Sequence, residues 1–201
     1  MGSDRAVTLV VTSCGRYDLL AQTLESLYAI IPPHTFNEVI IAEDWEREGQ
    51  AKNIDRAYAR VKTEYIFHCE CDWSFYLPER TWRPGFIAWS QMILAAHPEV
   101  LQVWLRAHND TNGHPIIEGE DYPYLDPDWS GGWSGFSWNP GLRRTEDWER
   151  IGGYMKYWQG TDNKTEQYLS HLYANLGFVA AILPEPSGYV RHIGWGRSLQ
   201  K

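Results

Sequence analysis

Residues 7–12 (VTLVVT) form a β-branched apolar run without polar alternation, the pattern of a strand buried on both faces. Ser13-Cys14-Gly15-Arg16-Tyr17 turns the chain. The period then changes: from Asp18, the residues Leu19, Leu20, Thr23, Leu24, Leu27 and Tyr28 fall on one helical stripe, which Pro32-Pro33 ends. Residues 38–42 (EVIIA) predict a second strand running into Glu43-Asp44. A helix is expected from about Gln50, with Ile54, Tyr58 and Val61 inward. Residues 64–69 (EYIFHC) predict a third strand running into Glu70-Cys71-Asp72. This βαβαβ order implies parallel strands joined by right-handed crossovers.

Pro84 suits the first turn of a further helix reaching about Ala96, with Phe86, Trp89, Ile93 and Ala96 inward. His97-Pro98 stops it, and residues 100–105 (VLQVWL) read as a strand. Residues 108–141 lose periodicity and are rich in Gly, Pro, Asp and Trp. So long an irregular stretch inside a compact domain usually serves function. An antiparallel edge strand is expected from the segment after it. Residues 164–176 predict a helix with Tyr168, Leu169, Leu172, Tyr173 and Leu176 on one face and Gly177 at its end. Residues 178–183 predict the final strand. No repeat or linker interrupts the 201 residues, which suit one domain.

Composition narrows the function classes. Apolar residues make up 43 % and charged residues 22 %, as expected of a globular chain rather than a disordered one. The net charge of −8, with no cluster of Lys and Arg, argues against a nucleic-acid or anionic-membrane surface. No run approaches the roughly 18 apolar residues of a transmembrane helix, and the start of the chain lacks the series of a signal peptide. Cys14, Cys69 and Cys71 read as reduced thiols, so a cytoplasmic location is expected. Eleven Trp and twelve Tyr are many for this length; such rings pack cores, but also supply flat faces for sugars. His68, His97, His108, His114 and His171 show no ligand spacing and read as structural.

In an open parallel sheet, ligands bind beyond the carboxyl ends of the strands. Here two of the first three strands end in acids. Such a crevice repels phosphate, but it can hold a divalent cation that binds diphosphate. Glu70 and Asp72, two apart on an extended chain, would point the same way, with Cys71 opposite; the structural alternative is a solvated strand end.

Taken in order, VTLVVT with T-S-C-G-R-Y-D-L-L, VIIAED, K-N-I-D-R-A-Y-A-R, EYIFHCECDW, F-S-W-N-P-G-L-R-R, I-G-G-Y and R-H-I-G-W-G-R resemble the family 2-type glycosyltransferases of the GT-A fold. The resemblance spans nearly the whole chain. It implies a single GT-A-type, Rossmann-like α/β domain, its mostly parallel twisted sheet flanked by helices. Residues 1–107 would be the nucleotide-binding half and residues 108–201 the acceptor-binding half. The implied donor is a nucleotide sugar, a UDP-sugar first, carrying a hexose or deoxyhexose. The implied acceptor is the hydroxyl of a glycan or other molecule, and the implied cofactor is Mn2+ or Mg2+. Thr12, Ser13 and Arg16 would border the nucleotide; Glu43 and Asp44 would contact base or ribose. Lys52 and Asn53 would flank the pocket. Glu70-Cys71-Asp72 matches the acidic D-x-D motif, with Glu70 and Cys71 beside the nucleotide and Asp72 on the metal. His192 matches the late metal or diphosphate histidine. Glu70 replaces the motif's first Asp, and E-D-W replaces the commoner D-D-G-S.

The resemblance also implies a general base near the start of the late helix, with inversion favoured. Glu166 fits first, Asp162 second, and the pair Glu146-Asp147 third. The structural alternative for Glu166 is a capping pair with Asn163. Trp133 and Trp138, in a Gly- and Trp-rich run, are the acceptor-binding candidates; a mobile lid or a core-covering loop are the other readings of that run. A sugar nucleotidyltransferase would need a Gly-rich phosphate loop after the first strand. A carbohydrate-binding module would not need acids at successive strand ends. No G-x-G-x-x-G follows the first strand, which disfavours a dinucleotide oxidoreductase.

Overall fold

The computed structural model describes residues 6–78, 85–131 and 133–196; the Pro84 helix start lies outside them. β1 (Val7–Ser13) is buried throughout and pairs in parallel with β2 (Glu38–Glu43) on one side and β3 (Tyr65–Glu70) on the other. Helices α1 (Tyr17–Ile30) and α2 (Gln50–Tyr58) make the crossovers. The pleat divides the core between two faces. Leu9, Val11, Phe67 and Cys69 pack with Leu27 of α1 and with Phe86 and Ile93 of α3 (Phe86–Ala96). Val10, Ile40 and Ile66 pack on the other side with Ile54 and Tyr58 of α2 and Leu169 and Tyr173 of the late helix. Continuous apolar runs suit strands covered on both faces.

β4 (Trp73–Phe75) follows β3 directly, and β5 (Val100–Trp104) follows α3. Among the described residues of the irregular segment ahead of β8, two short strands form, β6 (Ile116–Ile117) and β7 (Tyr124–Leu125). β8 (Gly141–Arg144) leads into α4 (Thr145–Ile151), and α5 (Asp162–Asn175) into β9 (Val179–Ile182). The main sheet has the order β2-β1-β3-β8-β5-β9-β7-β6. β8 runs antiparallel to both neighbours, so β3 and β5 point the same way, and β9 is parallel to β5.

Two expectations are corrected. The antiparallel strand after the irregular segment is β8, and it is central; β2 and β6 form the edges. All four residues of β8, two arginines among them, are buried. Arg144 is satisfied inside by Asp147 and by the carbonyls of Leu94, Pro98 and Val100. Gly141 permits the insertion, because a Cβ there would lie 2.6 Å from the Val103 carbonyl oxygen. Nor is the strand after α5 the last. β10 (Val190–His192) pairs antiparallel with β4 in a separate ribbon, setting His192 opposite Trp73. No helix among the described residues is long and apolar enough to cross a membrane.

Candidate active site

The register of the first three strands builds the crevice. Ser13 lies beside Glu43, and Thr12 beside Glu70, so the acids of β2 and β3 flank the end of β1. Each strand then leaves the sheet through a bonded turn. Cys71 N–H donates to the Thr12 carbonyl and Asp44 N–H to the Ser13 carbonyl, both at 2.9 Å. Gly15, at φ +69°, donates its N–H to Glu43 Oε1.

Asp72 is held from two sides. Its Oδ2 accepts from Arg16 Nη1 at 2.7 Å and lies 3.2 Å from His192 Nε2. Its backbone carbonyl accepts from Ile193 N–H at 2.8 Å, which docks the tail against it. Gly194 allows that approach: a Cβ there would sit 2.5 Å from Asp72 Oδ2. Burial works to raise the Asp72 carboxyl, but the His192 hydrogen bond and the Arg16 charge outweigh it and hold the group below its usual range. Its other oxygen, Oδ1, is buried with no hydrogen-bond partner among the described residues.

That open oxygen tests whether a cation fits. Asp72 Oδ1 and the His192 imidazole together offer a hard and a borderline donor. Among the described residues no group of three His, Cys, Asp or Glu side chains is arranged to hold a metal ion. The donor set therefore suits a cation whose remaining ligands arrive with a diphosphate, in the manner of Mg2+ held by one or two carboxylates plus substrate phosphates.

Glu70 and Glu166 face the same space. Glu70 accepts from Gln50 Nε2 at 2.7 Å and from Trp73 Nε1 at 3.2 Å. Burial pushes its carboxyl up to about 7, and the charges of Asp72 and Glu166 add to the effect. Glu166 lies on α5, where Oε1 accepts from Ser137 Oγ at 2.9 Å and Trp138 N–H at 2.8 Å. Burial raises its carboxyl too; those two bonds and the charges of Arg143 and Arg106 pull the other way. The capping alternative fails, because α5 is capped by the Thr161 side chain on Lys164 N–H. A carboxylate with a raised pKa beside an open crevice can accept a proton near neutral pH.

Other expected site residues are engaged in holding the frame. Both Asp44 oxygens accept backbone N–H groups, from Glu48 at 3.0 Å and Gly49 at 2.9 Å, which orders the turn into α2. Asp162 accepts from the N–H groups of Gln50 and Ala51, so it caps α2 from α5 and both its oxygens are occupied there. That geometry disfavours it as a base. Asn53 ties α2 to the Ala42 carbonyl at 2.7 Å, and Lys52 pairs with Glu48. Asp147 bonds Arg144, and Glu146 lies near the same guanidinium. Cys71 is fully buried in the α1-side core, away from the nucleotide position expected for it. Trp138 is corrected as an acceptor face: it is 2 % exposed, packed against Phe136 and Tyr154. Trp133 remains partly exposed.

Four contributors escaped the sequence reading: Gln50, Ser137, Arg106 and Arg143. Arg106 is 7 % exposed, bound twice to Asp110 and set over the rings of Trp73 and Trp104. The only signal in the chain was an arginine placed next to an apolar strand, at Leu105-Arg106 and Leu142-Arg143.

No profile of a known protein family matches the chain, and no curated protein matches it by sequence. Solved structures do. The mannosyltransferase PcManGT from Pyrobaculum calidifontis, in complex with GDP-Man and Mn2+, superposes with a TM-score of 0.63 at 18% identity, over 90% of this chain and 55% of that one. A mutant Drosophila β1,4-galactosyltransferase 7, in complex with manganese, UDP-Gal and xylobiose, gives 0.59 at 14% identity, over 98% and 76%. Staphylococcus aureus TarS gives 0.61 at 11% identity, over 92% and 36%. The present chain thus spans about half of the first and about a third of the last. The fold is GT-A, as the sequence led us to expect.

Proposed function

We propose that this protein transfers a glycosyl group from a nucleoside diphosphate sugar to an acceptor hydroxyl, with inversion, in a reaction that depends on a divalent cation. One observation carries the reading: Asp72 and Glu70, at the end of β3, share the crevice with Glu166, and Asp72 keeps a buried oxygen open beside His192 and Arg16. The solved structures of the same fold in complex with GDP-Man and Mn2+, and with UDP-Gal and manganese, support it by analogy.

In this reading Asp72 and His192 hold the cation, and Arg16 adds a second positive group for the diphosphate. When bound, Mn2+ or Mg2+ supplies Lewis-acid stabilisation of the charge that develops on the leaving diphosphate, worth several kcal/mol. Glu166 accepts the proton of the attacking hydroxyl, and Glu70 stands beside it. Thr12, Ser13, Glu43 and Asp44 line the nucleotide side, with Lys52 and Asn53 behind them on α2. Trp133 offers its ring to the acceptor. Residues 1–107 serve the donor and residues 108–201 the acceptor. The free thiols of Cys14, Cys69 and Cys71 accord with a cytoplasmic setting.

The test is a panel of UDP- and GDP-sugars with Mn2+ and a mixture of simple acceptors, read as released nucleoside diphosphate. Release from at least one donor, abolished by chelation, is expected. No release from any donor, together with no binding of any nucleoside diphosphate, overturns the proposal.

A further inference from the structure

Arg143 lies in β8, opposite Ile66 of β3 and Gln102 of β5, and is 3 % exposed. A guanidinium stays charged in proteins, and burying one without a partner is costly. Nε and Nη1 of Arg143 have no hydrogen-bond partner of good geometry among the described residues. Its surroundings are rings: it stands over Phe136, and its charge is felt by Tyr58, His68, Tyr154 and Tyr173. Burial and Arg143 together keep His68 from protonating, so no second charge shares the cage.

Besides a contact with the Tyr154 hydroxyl, Arg143 makes a well-formed hydrogen bond that points at the site. Nη2 donates to the Ser137 carbonyl at 3.0 Å. The hydroxyl of the same Ser137 and the N–H of Trp138 both donate to Glu166 Oε1. The turn is held from below as well, where Gln102 and Trp104 donate to the Gly135 carbonyl at 3.2 and 2.8 Å. We propose that Arg143 is the positioning residue of Glu166: it fixes the 137–138 turn that grips the carboxylate and supplies a standing positive charge behind it. The inference rests on the reading of Glu166 as general base.

The groups that face Glu166 fix the sign of the effect. Burial opposes ionisation of Glu166, and its charge in turn raises the neighbouring Glu70 at the end of β3. Arg106, after β5, favours ionisation of Glu166, but is itself neutralised by Asp110. Asp162, one turn earlier on α5, is occupied with the N-terminus of α2. Arg143, on β8, is the favourable charge that no carboxylate among the described residues pairs, so its removal leaves the burial of Glu166 less opposed.

The test reads Glu166 directly, by carboxyl carbon-13 NMR titration, with the resonance assigned by its loss in Glu166→Gln. In Arg143→Met the midpoint is expected to rise by about one pH unit or more. In Arg143→Lys, which keeps the charge, it should stay near wild type. The acid limb of transfer should move up with it, and kcat should fall about tenfold at unchanged donor KM. Should Arg143→Met fail to fold, Arg143→Gln keeps a donor for the Ser137 carbonyl and carries the same titration. An unchanged midpoint in the folded neutral variant overturns the proposal, as does an equal rise in Arg143→Lys. If the wild type transfers no sugar but the midpoint moves as expected, the catalytic reading fails while the role of Arg143 stands.

Discussion

Glu70 should weaken the fold it belongs to, and Glu70→Gln exposes that. The folded state holds its carboxyl at about 7 against an ordinary value of 4.5, which corresponds to about 3 kcal/mol lost on ionisation. The sign follows from linkage. Between those two values the native state binds the proton and the unfolded chain has released it, so stability falls as pH rises through that window and stays low above it. Glutamine removes the charge and still accepts from Gln50, but its NH2 faces Trp73 Nε1, so the bond at 3.2 Å is lost at a cost of about 1 kcal/mol. The variant should therefore be more stable by about 2 kcal/mol at pH 8, a rise in melting temperature of about 4–8 °C for a chain of this size. At pH 5 most of the penalty is absent, and the variant should melt level with wild type or just below it. Calorimetric melts at both values, without nucleotide or metal, decide the matter. A variant that melts lower than wild type at pH 8, or by the same margin at both values, refutes the reasoning.

Three further outcomes are expected. Glu166→Gln keeps an oxygen for both Ser137 and Trp138, so it should melt no lower than wild type while turnover falls by ~10²-fold or more; full activity would remove Glu166 as the base. Gly194→Ala places a Cβ against Asp72 and should weaken Mn2+-dependent nucleotide binding by about tenfold with little change in melting temperature, measured by titration and melt side by side. Trp133→Ala should raise the acceptor KM and leave the donor KM unchanged, as a half-exposed sugar face would.

The crevice was legible in the chain because its signals are local. Apolar runs ended in Glu43-Asp44 and in Glu70-Cys71-Asp72, and the parallel crossover order brought those ends together. What stayed hidden depends on contacts distant in sequence. Nothing near Arg143 and Arg144 in the chain reveals that the Leu94, Pro98 and Val100 carbonyls await one guanidinium and Ser137 the other. Asp162 read as a candidate base because its partners, the N–H groups of α2, lie more than a hundred residues away. Trp138 read as a sugar face because composition does not say which way a ring turns; in the fold its ring packs against Phe136 and Tyr154. His192 was placed by resemblance, and the β10–β4 ribbon supplies the physical reason it meets Asp72.

In the proposed function, Asp72 and a divalent cation together hold a nucleoside diphosphate. Calorimetric titration of UDP and of GDP into the wild type and into Asp72→Ala, each with Mn2+ and with chelator, tests it most directly. At least one nucleotide should bind the wild type only with Mn2+ and lose that binding in Asp72→Ala, whose melt still shows a folded chain. Equal affinity in the presence and absence of Mn2+, or metal-dependent affinity that survives in Asp72→Ala, would contradict it.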